Sequence, residues 1–427
     1  MVLKNKLFLI VFFGYLIFAN ISISSQIFDY ETEVFVNKLL NKIKEVNKFK
    51  KDIKISVIKD DTPNAFVFTE NRMIISSGLI EQAPDYVSLL AVLAHEVGHL
   101  HYFHLEKREN SLEQLSKLNL LTNIAAITGG ILANDPQILA GSIAGKANIN
   151  NFYLSFSREQ EREADLFSIG TLQKLKLPTN SVIELLKILE QNALSKGYDE
   201  EYQKFSTHPI FRERYQMIDN NTLNEKFKYN ENIQNEFNFI KAKFLGFNDK
   251  SSFGALKNDH KIYFESINKS NLGNLQSSLE KINFLIKKYP EYLFLLETKG
   301  DILRSHGFIS ESLEFYKIVL RKYPNNHYIK YRLFLDTNIT KLNKNEKSIF
   351  FENNLNLLTQ FQRNKYVINK FIEIALTLDK EDWIVFFNII KQSNESKKQD
   401  FKEKLFRLSE KTNDKELKKL IYKYIKI

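Results

Sequence analysis

Two segments in the C-terminal half end alike. "EKINFLIKKYP" closes at Pro290 and "EFYKIVLRKYP" closes at Pro324, a period of 34 residues. Between them Leu296, Gly300, Leu303, Gly307, Ser312, Tyr316, Val319 and Pro324 keep the spacing of a helix–turn–helix unit. One such unit cannot bury its apolar face alone, so neighbours must stack and the chain must grow as a one-dimensional array. Small residues at Gly300 and Ser312 allow the paired helices to approach closely. The unit closing at Pro290 carries the pattern less fully in its first helix. Beyond residue 340, "NEKSIFFENNLNLLTQF", "KYVINKFIEIALTL" and "DWIVFFNIIKQ" read either as degenerate units or as a helical cap. Residues 250–427 are therefore expected to form an α-helical solenoid without strands.

The N-terminal half is patterned differently. "YETEVFVNKLLNKIKEV" has helical apolar spacing, whereas "DIKISVI" alternates in the β manner. "DDTPNAFVFTENRMIISSGLI" reads as turn, strand, turn and second strand. "APDYVSLLAVLAHEVGHLHYFHLEKRE" reads as one long helix starting near Pro84, a residue tolerated in a first turn. "SREQEREADLFSIGTLQKL" and "TNSVIELLKILEQNAL" read as two more helices. The fold class expected for the whole chain is α+β, predominantly α, with a small β-sheet in residues 26–225. Residues 118–149 are apolar, glycine-bearing and broken by Asn134-Asp135-Pro136. They are too short for two membrane spans, and read as a buried helical hairpin or as a lid that touches lipid.

Residues 1–25 have the layout of a secretory signal peptide. Lys4 and Lys6 precede the apolar run 7–19 and the small-residue stretch "NISISS". The same run is the alternative, an inner-membrane anchor. At 427 residues and 43% hydrophobic, the chain can build two or three cores, which excludes wholesale disorder. Its net charge of +10 is spread out, with no dense arginine block or nucleic-acid motif, so no nucleic-acid partner is expected. There is no cysteine. Lipidation, disulfides and thiolate ligands are thereby excluded, and any metal must rest on His, Asp or Glu.

Four of the eight histidines fall in residues 89–104. His95, Glu96 and His99 form H-E-x-x-H. On a helix, i and i+4 share a face, so two imidazoles can meet one zinc ion per chain. Glu96 can then reach a water at that ion and act as general base. Catalytic zinc takes three protein ligands and keeps a fourth position open. His104 points well off the shared face if the helix continues, and His101 faces the surface. In "SREQEREAD", Glu161 and Asp165 are again i and i+4. One carboxylate can bind zinc while the other orients a ligand histidine through its free ring N–H. Spacing alone does not choose between them. A solvated acidic face paired with Arg158 and Arg162 fits the same residues.

H-E-x-x-H followed some 60 residues later by S-R-x-x-E-x-x-A-D resembles metallopeptidase family forty-eight, which includes HtpX and the CAAX prenyl proteases. The resemblance implies a zincin, gluzincin-like core with Glu161 as third zinc ligand. It implies Asp165 as a supporting carboxylate and Glu159 and Glu163 as bystanders. "PNAFVFTENRMIISSGLI", "AHEVGHLHYFH" and "STHPIFRERY" are similar to the periplasmic BepA-like branch, which continues into tetratricopeptide repeats. "FTENRM" departs from the glycine pair usual there. In that branch the histidine before proline, here His208, is implicated as a regulatory fourth zinc ligand, which would displace the water. Arg214 would support a carboxylate, a developing oxyanion or a plain salt bridge. A peptide is expected along an edge strand near Asn64 to Phe68, with Asn64, Ala65 and Phe66 as its candidate contacts, by β-augmentation.

The resemblance implies a zinc metalloendopeptidase exported to the periplasm of a Gram-negative bacterium. It would cut misfolded or stalled outer-membrane assembly intermediates, meet the assembly machinery through the repeats, and touch membrane peripherally at most. Two other readings stay open: a chaperone or scaffold with little proteolysis, and a membrane-embedded HtpX-type protease.

Overall fold

The computed structural model describes residues 26–68, 71–107, 156–195, 212–220, 227, 229–248, 256–361, 364–392 and 398–425. Residues 1–25, expected to be a signal, residues 118–149 and His208 lie outside them. The described chain is α+β and mostly helical, with one mixed four-stranded sheet. It forms two compact units. One runs up to Ile27 and over Thr32–Phe244, and the other comprises Phe28–Glu31 and Leu245–Ile427.

In the first unit β1 (Gln26–Ile27), β2 (Lys54–Ile58), β3 (Ala65–Phe68) and β4 (Arg72–Ser76) lie in the order β1-β2-β4-β3. β4 pairs parallel with β2 and antiparallel with β3, which leaves β3 at the edge. Ser76 N donates to Asn64 O, and Phe66 sits opposite Ile74. Alternation along an antiparallel ladder then turns the backbone groups of Ala65 and Val67 to the free side.

Two sequence readings are corrected here. The second strand of "TENRMIISSGLI" stops at Ser76, not at the end of the apolar run. Ser76 takes an extended backbone and its Oγ accepts from Leu79 N, which starts helix α2 (Ser77–Gln82); a serine cap overrides the strand-like run. The long helix expected to reach residue 109 ends at His101. Asp85 and Ser88 form a capping box at the start of this helix, α3 (Tyr86–His101), and Tyr102 closes it. Phe103 takes a left-handed φ of 57°, and residues 104–107 resume as a separate helical turn. The break puts Phe103 outside under Lys51, whose Nζ lies 4.8 Å from its ring centroid, and turns His104 and Leu105 inward.

Around α3 stand α1 (Tyr30–Asn47), α4 (Arg158–Lys174), α5 (Asn180–Ser195), α6 (Arg212–Asn220) and α7 (Glu231–Phe247). α3 packs along α4 and over β3. Their shared core includes Leu39, Ile43, Met73, Leu90, Leu93 and Val97.

In the second unit every described element after α7 is helical. α8 (Asn258–Asn271) pairs with α9 (Leu275–Lys288), and α10 (Phe294–Ser305) pairs with α11 (Ile309–Lys322). The pairs turn at Gly273 and Gly307, both at positive φ and 34 residues apart. The arrangement is compatible with tetratricopeptide-like repeats. Further on come α12 (His327–Asp336), a 3₁₀ turn (Ile339–Lys341), α13 (Lys344–Asn354), α14 (Leu357–Gln360), α15 (Lys365–Thr377), α16 (Glu381–Gln392), α17 (Lys398–Lys411) and α18 (Lys415–Ile425). They close over an aromatic core in which Phe351 meets Trp383 edge-on at 5.0 Å and Phe371 stacks on Phe387 at 5.4 Å. Among the described residues, no helix is long and apolar enough to cross a membrane.

Candidate metal centre

The apolar run before His95 buries α3 on every side, so the polar residues that follow are buried with it. His95, Glu96 and His99 are 6%, 1% and 0% exposed. Removing ionisable groups from water is costly unless they are paired or hold an ion. The partners come from α4, whose start is fixed by a capping box between Ser157 and Gln160. The two helices approach closely at Gly98, where an added Cβ would stand 3.0 Å from Ala164 Cα. Ala164 lies between Glu161 and Asp165, so this contact brings both carboxylates to the histidines.

His95 Nε2 and His99 Nε2 are 3.1 Å apart. Glu161 offers Oε2 at 3.3 Å from His95 Nε2 and Oε1 at 3.5 Å from His99 Nε2. Among the described residues these three form the one group with ligand atoms all within 4.8 Å of one another. A tetrahedral site with bonds of about 2.0–2.1 Å has edges of roughly 3.3 Å. The donor atoms thus fit a tetrahedral cation held by two nitrogens and one oxygen, with a fourth position left for water.

The outer ring nitrogens are held as well. His95 Nδ1 lies 2.8 Å from Asp165 Oδ1. Arg214 grips that carboxylate with two bonds, Nε to Oδ2 and Nη2 to Oδ1, each 2.7 Å, and its Nη1 lies 3.7 Å from Glu161 Oε2. Of the roles open to Arg214, the structure shows the carboxylate clamp. Burial alone would lower the basicity of His95, but Asp165 and Glu161 outweigh it and hold the imidazole above the ordinary histidine range. Burial alone would raise Asp165, but Arg214 and His95 outweigh it and hold the carboxyl below its usual range. Burial likewise works against the Arg214 charge, and Asp165 and Glu161 overcome it, so the guanidinium stays charged.

His99 is placed by different means. Its ring stacks on Phe156 at 3.7 Å, and its Nδ1 lies 2.9 Å from His104 Nδ1. His104 Nε2 lies 2.8 Å from Glu163 Oε2. Burial holds the His104 imidazole below the ordinary histidine range, against the pull of Glu163. His104 thus stays outside the triangle and packs behind His99, on its outer nitrogen, a place that an unbroken helix would not give it. Glu163, expected to be a bystander, touches it. His101 is exposed, as expected, and Glu159 lies 3.8 Å from Arg162 on the solvent side. The solvated-face reading therefore holds for Glu159 and fails for Glu161 and Asp165, which are 1% and 4% exposed.

Glu96 Oε2 accepts from Val67 N at 2.9 Å. Val67 belongs to β3, so the edge strand runs directly past the carboxylate. Of the expected strand residues, Ala65 presents free backbone groups, while Phe66 is turned into the ladder and Asn64 O is already used by Ser76 N. The expected edge strand, Asn64 to Phe68, contains Val67, but sequence reasoning gave its N–H no role toward Glu96. The period-2 alternation from Ala65 was the available signal.

Comparison with known proteins adds a family to this geometry. Residues 33–222 match Peptidase family M48. The chain is similar to a beta-barrel assembly-enhancing protease of Yersinia pestis, 25% identical over 52% of this chain and 45% of that protein. It is similar to the beta-barrel assembly-enhancing protease of Escherichia coli strain K12, 27% identical over 41% of this chain and 36% of the relative. It is also similar to the mitochondrial metalloendopeptidase OMA1 of Schizosaccharomyces pombe, 25% identical over 44% and 53%. The chain matches less than half the length of the two bacterial relatives. The family and the three relatives carry the names of proteases, and the last is named for metal-dependent cleavage within a chain.

Proposed function

We propose that this chain is a zinc-dependent endopeptidase that cuts unassembled envelope proteins. The observation that carries the reading is the buried His95–His99–Glu161 triangle with Glu96 beside it and an edge strand running past. Zinc suits two imidazoles and a carboxylate, and when bound it supplies a polarised carbonyl and a water of lowered pKa. Glu96 takes the proton from the attacking water and delivers it to the leaving amine. Val67 N–H fixes the Glu96 carboxylate in direction. Asp165 accepts from His95 Nδ1–H and so keeps Nε2 free for the metal, with Arg214 keeping Asp165 ionised. An extended peptide pairs with the outward backbone groups of Ala65 and the carbonyl of Val67, whose N–H is held by Glu96, and this lays its backbone along the centre.

Extended, unpaired strands abound in a β-barrel protein that has not yet assembled. The names of the bacterial relatives point the same way, and support outer-membrane assembly intermediates as the substrate class. That class places the protein in the periplasm, with residues 1–25 as its signal, 26–225 as the zinc-protease domain of zincin type and 250–427 as a tetratricopeptide array that engages a protein partner. His208 belongs to this reading as a regulatory ligand competing with the water.

Metal analysis of purified residues 26–427 should find one zinc per chain. Glu96→Gln should keep that zinc and lower cleavage of an unfolded protein by about 10²–10⁴-fold. Wild-type protein that takes up no zinc on reconstitution, or a Glu96→Gln variant that cleaves like wild type, would overturn the proposal. His208→Ala should raise cleavage, with Glu96→Gln/His208→Ala as its blank.

A further inference from the structure

We infer that His104 and Glu163 form a positioning relay for the metal ligand His99, the counterpart of what Asp165 and Arg214 do for His95. The inference rests on the metal-site reading above and extends it to two residues outside the ligand set.

The argument is proton accounting. His99 gives Nε2 to the metal, so the single hydrogen of its neutral ring is on Nδ1. That hydrogen points at His104 Nδ1, 2.9 Å away. Two N–H groups cannot face each other in a hydrogen bond, so His104 Nδ1 must be bare and accept. The hydrogen of His104 is then on Nε2, where it donates to Glu163 Oε2 at 2.8 Å. Every hydrogen in the chain His99–His104–Glu163 is fixed once His99 takes a metal. The same order fixes the ring plane of His99, which Phe156 supports from one face.

The fold is shaped to deliver this arrangement. His104 could not reach His99 from a continuing helix, because five residues of α-helix rotate it well away from the shared face. Closure of α3 at Tyr102 and the left-handed backbone of Phe103 turn the chain back, and His104 becomes fully buried. Its two ring nitrogens then meet one buried and one half-exposed partner, since the Glu163 side chain is 39% exposed. The two ligand histidines are thus held unequally. His95 meets a charge directly, inside the core. His99 meets one through an intervening imidazole, at the surface.

The test is zinc affinity of the full chain by competition with a chromophoric chelator, comparing wild type, His104→Phe, His104→Asn and Glu163→Gln. His104→Phe keeps an aromatic ring and removes the acceptor, and should weaken zinc binding by about 10–100-fold. His104→Asn places an oxygen where Nδ1 stood and should recover most of that loss. Glu163→Gln changes a half-exposed group, leaves the core intact, and should weaken binding by less than about tenfold. In cobalt-loaded protein the paramagnetically shifted His99 Nδ1–H proton resonance should persist in wild type and His104→Asn, and exchange away in His104→Phe. Zinc affinity of His104→Phe within about twofold of wild type, or no recovery in His104→Asn, overturns the relay and leaves the zinc site standing. Wild-type protein that binds no zinc overturns both.

Discussion

Both units bring a pair of helices together at a glycine, and they use the gap differently. At Gly98 the neighbour is backbone and a Cβ, Ala164 Cα at 3.0 Å and Phe167 Cβ at 3.1 Å from an added Cβ. At Gly300 the neighbour is a side chain, the ring of Tyr316 at 2.6 Å. The first gap sets the distance between two rows of ionisable groups. The second is filled by a fully buried ring whose hydroxyl reaches back to Asp301 at 2.6 Å. A close helix contact can therefore position chemistry or complete a core, and what stands beside the glycine decides which.

The largest effect that would break this comparison comes from the charged side of it. Asp165→Ala should destabilise the first unit by about 3 kcal/mol or more, because Arg214 is left buried without its main counter-charge. Calorimetry of the zinc-free protein should show the loss in one transition and leave the other unmoved; a change confined to the second unit would refute the assignment.

A smaller loss is expected at Gly300. An alanine there must displace a ring held on all sides, at a cost of about 1–3 kcal/mol, typical of overpacking, with zinc affinity unchanged. At Gly98 the order reverses. Alanine regains about 1 kcal/mol of helix propensity, which offsets much of the crowding, so stability should hold while α4 shifts and zinc affinity falls. Chelator competition and urea titration on the two variants test the contrast. Equal stability losses with equal zinc affinity would erase it.

The finest distinction is in pH. Burial works against a charge on His95 in the zinc-free protein, but Asp165 and Glu161 outweigh it and hold the imidazole above the ordinary histidine range. A raised folded-state pKa contributes stability that is complete below the unfolded value, about 6.5, and is lost as pH rises through the folded value. Zinc needs the neutral ring and binds better as pH rises. The gap in melting temperature between zinc-loaded and chelator-treated protein should therefore widen steadily above pH 6.5. A gap independent of pH would remove His95 from that role.

Much of the metal centre was legible in the residues. His95 with His99, and Glu161 with Asp165, can be paired on paper because positions four apart share a helical face. The resemblance, not spacing, chose Glu161 over Asp165 as ligand, and the structure places Glu161 in the triangle and Asp165 on the outer nitrogen of His95. His104 was set off the shared face because the reading assumed that α3 continued, and Glu163, set aside by the resemblance as no ligand, stays outside the triangle but meets His104. The break is a single left-handed residue, Phe103, which apolar periodicity does not signal. The bond from Val67 to Glu96 was not legible, because which strand groups face outward depends on the pairing of β3 with β4.

The sequence by itself determined which side chains share a face and the 34-residue period of the helical half. Both follow from local backbone geometry, which repeats every 3.6 residues in a helix and every two in a strand. Only the tertiary structure decided which faces meet. The approach of Gly98 to Ala164, the reversal that buries His104, the grip of Arg214 on Asp165 and the bond from Val67 to Glu96 join residues between 29 and 66 positions apart or hinge on where a helix stops. Such contacts form because packing must satisfy buried charge and fill space at once. That balance is struck over the whole core, and no window of sequence contains it.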